Sequence, residues 1–145
     1  MSDSAVPSAQ PLQAIFAGEA RLHLAQLDSG LAALAGSGAP AALAEMLEAL
    51  HTLGGAARAV ELRELEWLCG ALERVFGAPG AGGRLGRDQL DLLADAVALA
   101  HQLLGDGAGH GKRALTLVGQ LDALARELTD STCCTGHCAQ PTATP

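Results

Sequence analysis

The sequence predicts an all-α protein: an up-and-down four-helix bundle with an additional fifth C-terminal helix. Three observations carry that expectation. Hydrophobic residues make up 49% of the 145-residue chain and aromatics only 2%, so the core must be built from Leu, Ala and Val, and Leu and Ala are strong helix formers. Apolar residues recur at threes and fours rather than at twos, which leaves few stretches that read as half-buried strands. Short Gly- or Pro-bearing connections separate these stretches, as expected for consecutive antiparallel helices. A single domain of this size buries a core without disulfide or metal staples.

Met1 to Pro11 reads as a flexible leader, dominated by Ser, Pro and Gln without periodicity. The bundle is expected over 12–129. Its first helix carries Leu12, Phe16, Ala20, Leu24, Leu27, Leu31 and Leu34 on one face and ends at Gly36-Ser37-Gly38. The second runs from Pro40, suited to a first turn where its missing N–H costs nothing, to Ala59, burying Leu43, Met46, Leu47, Leu50, Leu53 and Ala57. Gly54 and Gly55 interrupt it. Each costs up to about 1 kcal/mol relative to Ala in a helix interior, so each asks for a reason. The third helix covers Leu62 to Phe76 with Leu65, Leu68, Cys69, Leu72, Val75 and Phe76 at helical spacing, and a glycine-rich loop from Gly77 to Gly86 follows. The fourth begins at Arg87 or Asp88, places Leu90, Leu93, Ala94, Val97, His101 and Leu104 on one face, and stops at Gly105-Asp106-Gly107. The fifth, Lys112 to Leu128, uses Ala114, Leu117, Val118, Leu121, Leu124 and Leu128 and is expected to pack against the other four.

Residues 130–145 read as a disordered Cys/Thr/Pro tail. Cys133, Cys134, His137 and Cys138 fall within six residues, too little chain for tetrahedral closure around a metal, so neither a metal site nor a disulfide framework is expected. No other cofactor is expected. The formal charge is -7, from nine Lys plus Arg against sixteen Asp plus Glu, which argues against nucleic acid and anionic membranes as partners. With no signal-like leader and no apolar run near the roughly 20 residues of a membrane span, the expected location is the cytoplasm.

At 100° per residue, Ala44, Glu48, His51, Gly55 and Arg58 share a stripe that flanks the buried face of the second helix. His51 therefore sits at the border of core and solvent, where neighbours can orient its imidazole and another molecule can still meet it. Gly55, one turn on, clears space beside the ring. The run His51-Thr52-Leu53-Gly54-Gly55-Ala56-Ala57, followed by Val60, Leu62 and Leu65, resembles the signature of histidine-containing phosphotransfer (HPt) domains, usually His-x-x-Lys-Gly with a small residue two places later. Upstream, Phe16, Glu19, Ala20, Leu24, Leu27, Leu31 and Leu34 are similar to the first helix of the HPt domain that opens chemotaxis-type histidine kinases. The resemblance spans Leu12 to Leu128.

That resemblance implies a phosphoacceptor His51, loaded at Nε2, and a glutamate on the next helix bound to Nδ1. Chemotaxis-type domains place this glutamate 22 positions after the histidine, which is Glu73 here. A carboxylate on Nδ1–H fixes the tautomer that leaves a lone pair on Nε2. The resemblance further implies a phosphorelay carrier, monomeric, that takes phosphate from a histidine kinase catalytic domain or a phosphorylated receiver and gives it to the aspartate of a response-regulator receiver domain. Three positions depart from the family pattern. Gly54 stands where a lysine would hold the phosphoryl oxygens, Gly70 where a second histidine often sits, and Glu61 where the turn commonly has glycine. Arg58 is the candidate replacement for the phosphate contact.

The glycine loop Gly77 to Gly86 lacks the strand and lysine of a phosphate-binding loop, so the chain is expected to bind no ATP and to be a phosphocarrier rather than an enzyme with its own kinase domain. The alternative function is a docking module that binds a receiver or kinase domain through the same face without carrying phosphate, motivated by Gly54. Gly54 also suits close helix approach. Trp67 reads as a packing residue, Cys69 as a small core hydrophobe, His23 and His101 as helix-face residues and His110 as a loop residue.

Overall fold

The computed structural model describes residues 9–36, 40–82, 85–105 and 109–132. Within them are helices α1 (Ala9–Gly36), α2 (Pro40–Ala59), α3 (Arg63–Phe76), α4 (Arg87–Gly105) and α5 (Gly111–Thr132), with a 3-10 turn at Pro79–Gly82 and no strand among the described residues. The first helix starts at Ala9, inside the segment expected to be leader, and the last continues to Thr132, inside the expected tail. Cys133, Cys134, His137 and Cys138 lie outside the described residues.

Helices α1 to α4 close a ring: α1 packs on α2, α2 on α3, α3 on α4 and α4 back on α1. The fifth helix does not spread over all four. It lies chiefly along α3, and also touches α4 and the 3-10 turn. Between the helices is a leucine core in which Leu24, Leu27, Met46, Leu50, Leu53, Leu65, Leu68, Leu72, Leu93, Leu99, Leu121 and Val75 are fully buried, with no buried charged or polar side chain among the described residues. Each such Leu contributes about 1.5–3 kcal/mol by leaving water. Small residues set the helix spacing. A Cβ on Gly30 of α1 would collide with Met46 of α2, and one on Gly54 of α2 would lie 3.3 Å from the Cβ of Cys69 on α3.

The expected stripes of α2, α3 and α5 face inward, but that of α4 needs correction. Ala94 and His101 are exposed and Leu104 is half-buried, while Ala96, Leu99, Ala100 and Leu103 are buried beside Leu93 and Val97. Apolar residues almost encircle α4, so several stripes fit its sequence. Its contacts with α1, α3 and α5 choose among them.

The link between α2 and α3 defines the site's geometry. Glu61 has φ +62°, the left-handed region. Around it, the Leu62 N–H donates to the Ala57 carbonyl at 2.9 Å and the Glu61 N–H to the Arg58 carbonyl at 3.1 Å. These are the paired bonds of a Schellman C-cap, which normally places glycine at the left-handed residue. Here a glutamate carries the strain, which fits the departure at Glu61 noted in the sequence.

Candidate functional site

Because α2 and α3 form an antiparallel hairpin with equal rise per residue, positions equidistant from its turn lie level with each other. His51 and Glu73 are each eleven residues from Leu62, and Arg58 and Glu66 are each four from it. Both pairs meet. His51 Nδ1 lies 3.3 Å from Glu73 Oε2, and Arg58 Nε donates to Glu66 Oε2 at 2.7 Å. The 22-residue spacing is thus what an eleven-residue arm on either side of the turn produces.

The two partners differ in exposure. The imidazole is 87% exposed and the Glu73 side chain 32%, so the carboxylate sits in the seam between the helices while the ring stands out from it. The approach is an ion-pair distance, looser than an aligned hydrogen bond. It puts Nδ1 against α3 and leaves Nε2 accessible from solvent. Gly55 is exposed, and a Cβ there would meet nothing within 4 Å, so the helix packing does not require a glycine at this position. Gly54 does have a packing reason in its approach to Cys69.

Arg58 is not brought to His51. Its guanidinium is committed to Glu66, two turns or about 10.5 Å of helix rise away. Trp67 is 38% exposed and lines a shallow groove with Arg58, Glu66, Gly70, Arg74 and Leu115. Cys69 lies under Gly54 in the core. Burial, with smaller repulsions from Glu73 and Glu66, pushes its thiol pKa up to about 12, so it is an inert packing group rather than a nucleophile.

Two polar contacts carried no sequence signal. Arg74 Nε donates to Asp122 Oδ1 at 2.8 Å, tying α3 to α5, and His101 Nε2 lies 3.0 Å from Asp28 Oδ2, tying α4 to α1. Each joins residues far apart in the chain, and neither lies on a recognisable motif. Among the described residues, no three His, Cys, Asp or Glu side chains form a metal-binding group, and no helix is long and apolar enough to cross a membrane.

The α2–α3 face thus holds the His51 imidazole by Nδ1 and turns its other nitrogen outward on an open surface. The family model of the Hpt domain matches residues 11–130, and the chain belongs to that family. No curated protein and no solved structure matches the chain.

Proposed function

We propose that this chain is a phosphorelay carrier that holds a phosphoryl group on Nε2 of His51. The observation that supports this most directly is the 3.3 Å approach of Glu73 to Nδ1 beneath an imidazole that is otherwise open to solvent. With the Nδ1 proton facing Oε2, the lone pair resides on Nε2, the nitrogen another molecule can reach. Glu73 also balances the positive charge the ring gains as the P–N bond forms. Gly55 leaves room for the incoming phosphoryl group and the surface that delivers it.

The donor is the catalytic domain of a histidine kinase or a phosphorylated receiver, and the acceptor is a receiver-domain aspartate. The carrier needs no nucleotide site of its own, and this reading goes with a monomer working in the cytoplasm. The Leu12 to Leu34 pattern and the 22-residue spacing favour the chemotaxis-type branch of the family. Incubation with a phosphorylated receiver or an active kinase is expected to give acid-labile phosphate on the wild type and none on His51→Gln. Equal labelling of the variant would refute the assignment.

Gly54 favours a second reading, a docking module that binds the same partners without taking phosphate. In that case binding persists unchanged in His51→Ala and no phosphate is transferred.

A further inference from the structure

The charges around His51 are one-sided. Both arginines on the neighbouring surface are engaged: Arg58 with Glu66 at 2.7 Å, and Arg74, next to Glu73 on α3, with Asp122 at 2.8 Å. Position 54, three residues after the histidine, has no side chain. Along α2 itself the exposed charges before the ring are Glu45 and Glu48, and among the described residues no cation pairs with either. Glu48 is three residues from His51, so their Cβ atoms lie about 5–6 Å apart on the helix surface. From the neighbouring helix, His23 of α1 lines a groove with Glu45 and Glu48 and meets Gln26 through Nδ1 at 3.3 Å, with no ion pair to either glutamate. A phosphoryl group on Nε2 thus brings two negative charges to a surface on which, among the described residues, Glu48 is unpaired and no arginine or lysine is left free beside the ring.

We infer that this chain is a discharging carrier, in which Glu48, unopposed by any cation of the site, keeps the phosphohistidine at high transfer potential, and that the neutralising positive charge comes from the docked partner. The inference rests on His51 being the phosphoacceptor. In loading, the Nε2–P bond forms as the bond from phosphorus to the donor breaks, and the donor keeps that electron pair. In discharge, an acceptor carboxylate oxygen bonds to phosphorus, the P–N bond breaks and its pair returns to Nε2. The Nδ1 proton stays on the ring against Glu73 throughout. Repulsion from Glu48 raises the phosphorylated state, so it disfavours loading from a donor that brings no positive charge and favours release to an acceptor. A cationic partner surface offsets that repulsion only while docked, which ties phosphoryl exchange to the correct encounter.

Phosphoryl exchange with free imidazole isolates this effect, because the same kind of P–N bond is broken in N-phosphoimidazole and formed on His51. The equilibrium constant for transfer onto the full chain, read by phosphorus NMR, therefore reports the protein surroundings. It is expected to rise about threefold from the wild type to Glu48→Gln and about tenfold to Glu48→Lys, with Glu73 acting alike in all three, and to rise with added salt in the wild type but fall in Glu48→Lys. Glu48 is exposed, so these variants change charge without disturbing the core; Gly54→Lys, crowded by Cys69, is the harder variant. A constant that Glu48→Gln and Glu48→Lys leave unmoved overturns the inference and leaves the phosphoacceptor assignment standing. Absence of phosphohistidine both here and with a kinase or phosphorylated receiver removes the assignment itself.

Discussion

Among the described residues, two histidine–carboxylate pairs lie on different faces, and they are built in opposite senses. On the α2–α3 face, His51 meets Glu73 through Nδ1 at 3.3 Å, with its ring 87% exposed. On the α1–α4 face, His101 meets Asp28 through Nε2 at 3.0 Å, with its side chain 43% exposed. The tighter pair uses the nitrogen farther from the backbone and acts as a clip between helices. The looser pair uses the nearer nitrogen and leaves the distal one outward. On the proposed reading of His51, proximity of a carboxylate is shared by both histidines, and the two pairs differ in the nitrogen engaged and in the exposure of the ring. Even the glycine one turn on is shared: Gly55 follows His51 by four residues and Gly105 follows His101 by four, and a Cβ at either would meet nothing within 4 Å.

The strongest test of that contrast is all-or-none. His51→Gln is expected to abolish acid-labile labelling by a phosphorylated receiver, and His101→Gln to leave its extent and rate unchanged. Loss of labelling in both would mean that the two pairs do not differ as their geometry indicates. The carboxylates come next. Glu73→Gln removes the acceptor that fixes the His51 tautomer and is expected to slow transfer on the order of tenfold to a hundredfold in single-turnover measurements, while Asp28→Asn leaves it within twofold.

A smaller effect separates the glycines. Gly55→Ala restores helix propensity without a clash and is expected to stabilise the fold by about 0.5–1 kcal/mol in urea melts, yet to slow phosphoryl transfer by crowding the approach to His51. Gly105→Ala is expected to leave transfer unchanged. A Gly55→Ala variant that gains stability at no cost in rate would assign Gly55 no role at the site.

The sequence exposed the His51 pair and concealed the His101 pair for a physical reason. Glu73 is separated from His51 by one hairpin, so its level is fixed by counting residues through the turn, and the apolar stripe of α3 is narrow enough to place Glu73 at its edge. Asp28 and His101 are 73 residues apart, and no local rule relates a position on α1 to one on α4. The stripe proposed for α4 even placed His101 inward, because a helix apolar on nearly all sides has no unique inward face until its neighbours are known. That Arg58 pairs with Glu66 rather than turning toward His51 has a related reason. The Arg58 face of α2 is legible in the sequence, but the competing carboxylate, Glu66, lies on the other helix of the hairpin. At the hairpin turn, by contrast, the unusual glutamate was visible in the sequence, and its left-handed φ supplies the reason that glycine is usual there. Glu61→Gly is accordingly expected to stabilise the protein by about 1 kcal/mol, seen as a higher urea midpoint with unchanged slope.

The smallest expected effect concerns the clip itself. His101 and Asp28 are both solvent-exposed, so their attraction is screened and the entropy of holding two side chains offsets part of it. A double-mutant cycle with His101→Ala and Asp28→Ala is expected to give a coupling of about 0.2–1 kcal/mol in stability at pH 6, shrinking at high salt, with no coupling in transfer rate. The same cycle on His51 and Glu73 is expected to show little coupling in stability, because that pair is looser and its imidazole is nearly free of the fold. If the His51–Glu73 coupling were to appear chiefly in stability, the exposed ring would be a second clip, and the difference in engaged nitrogen would lose its functional meaning.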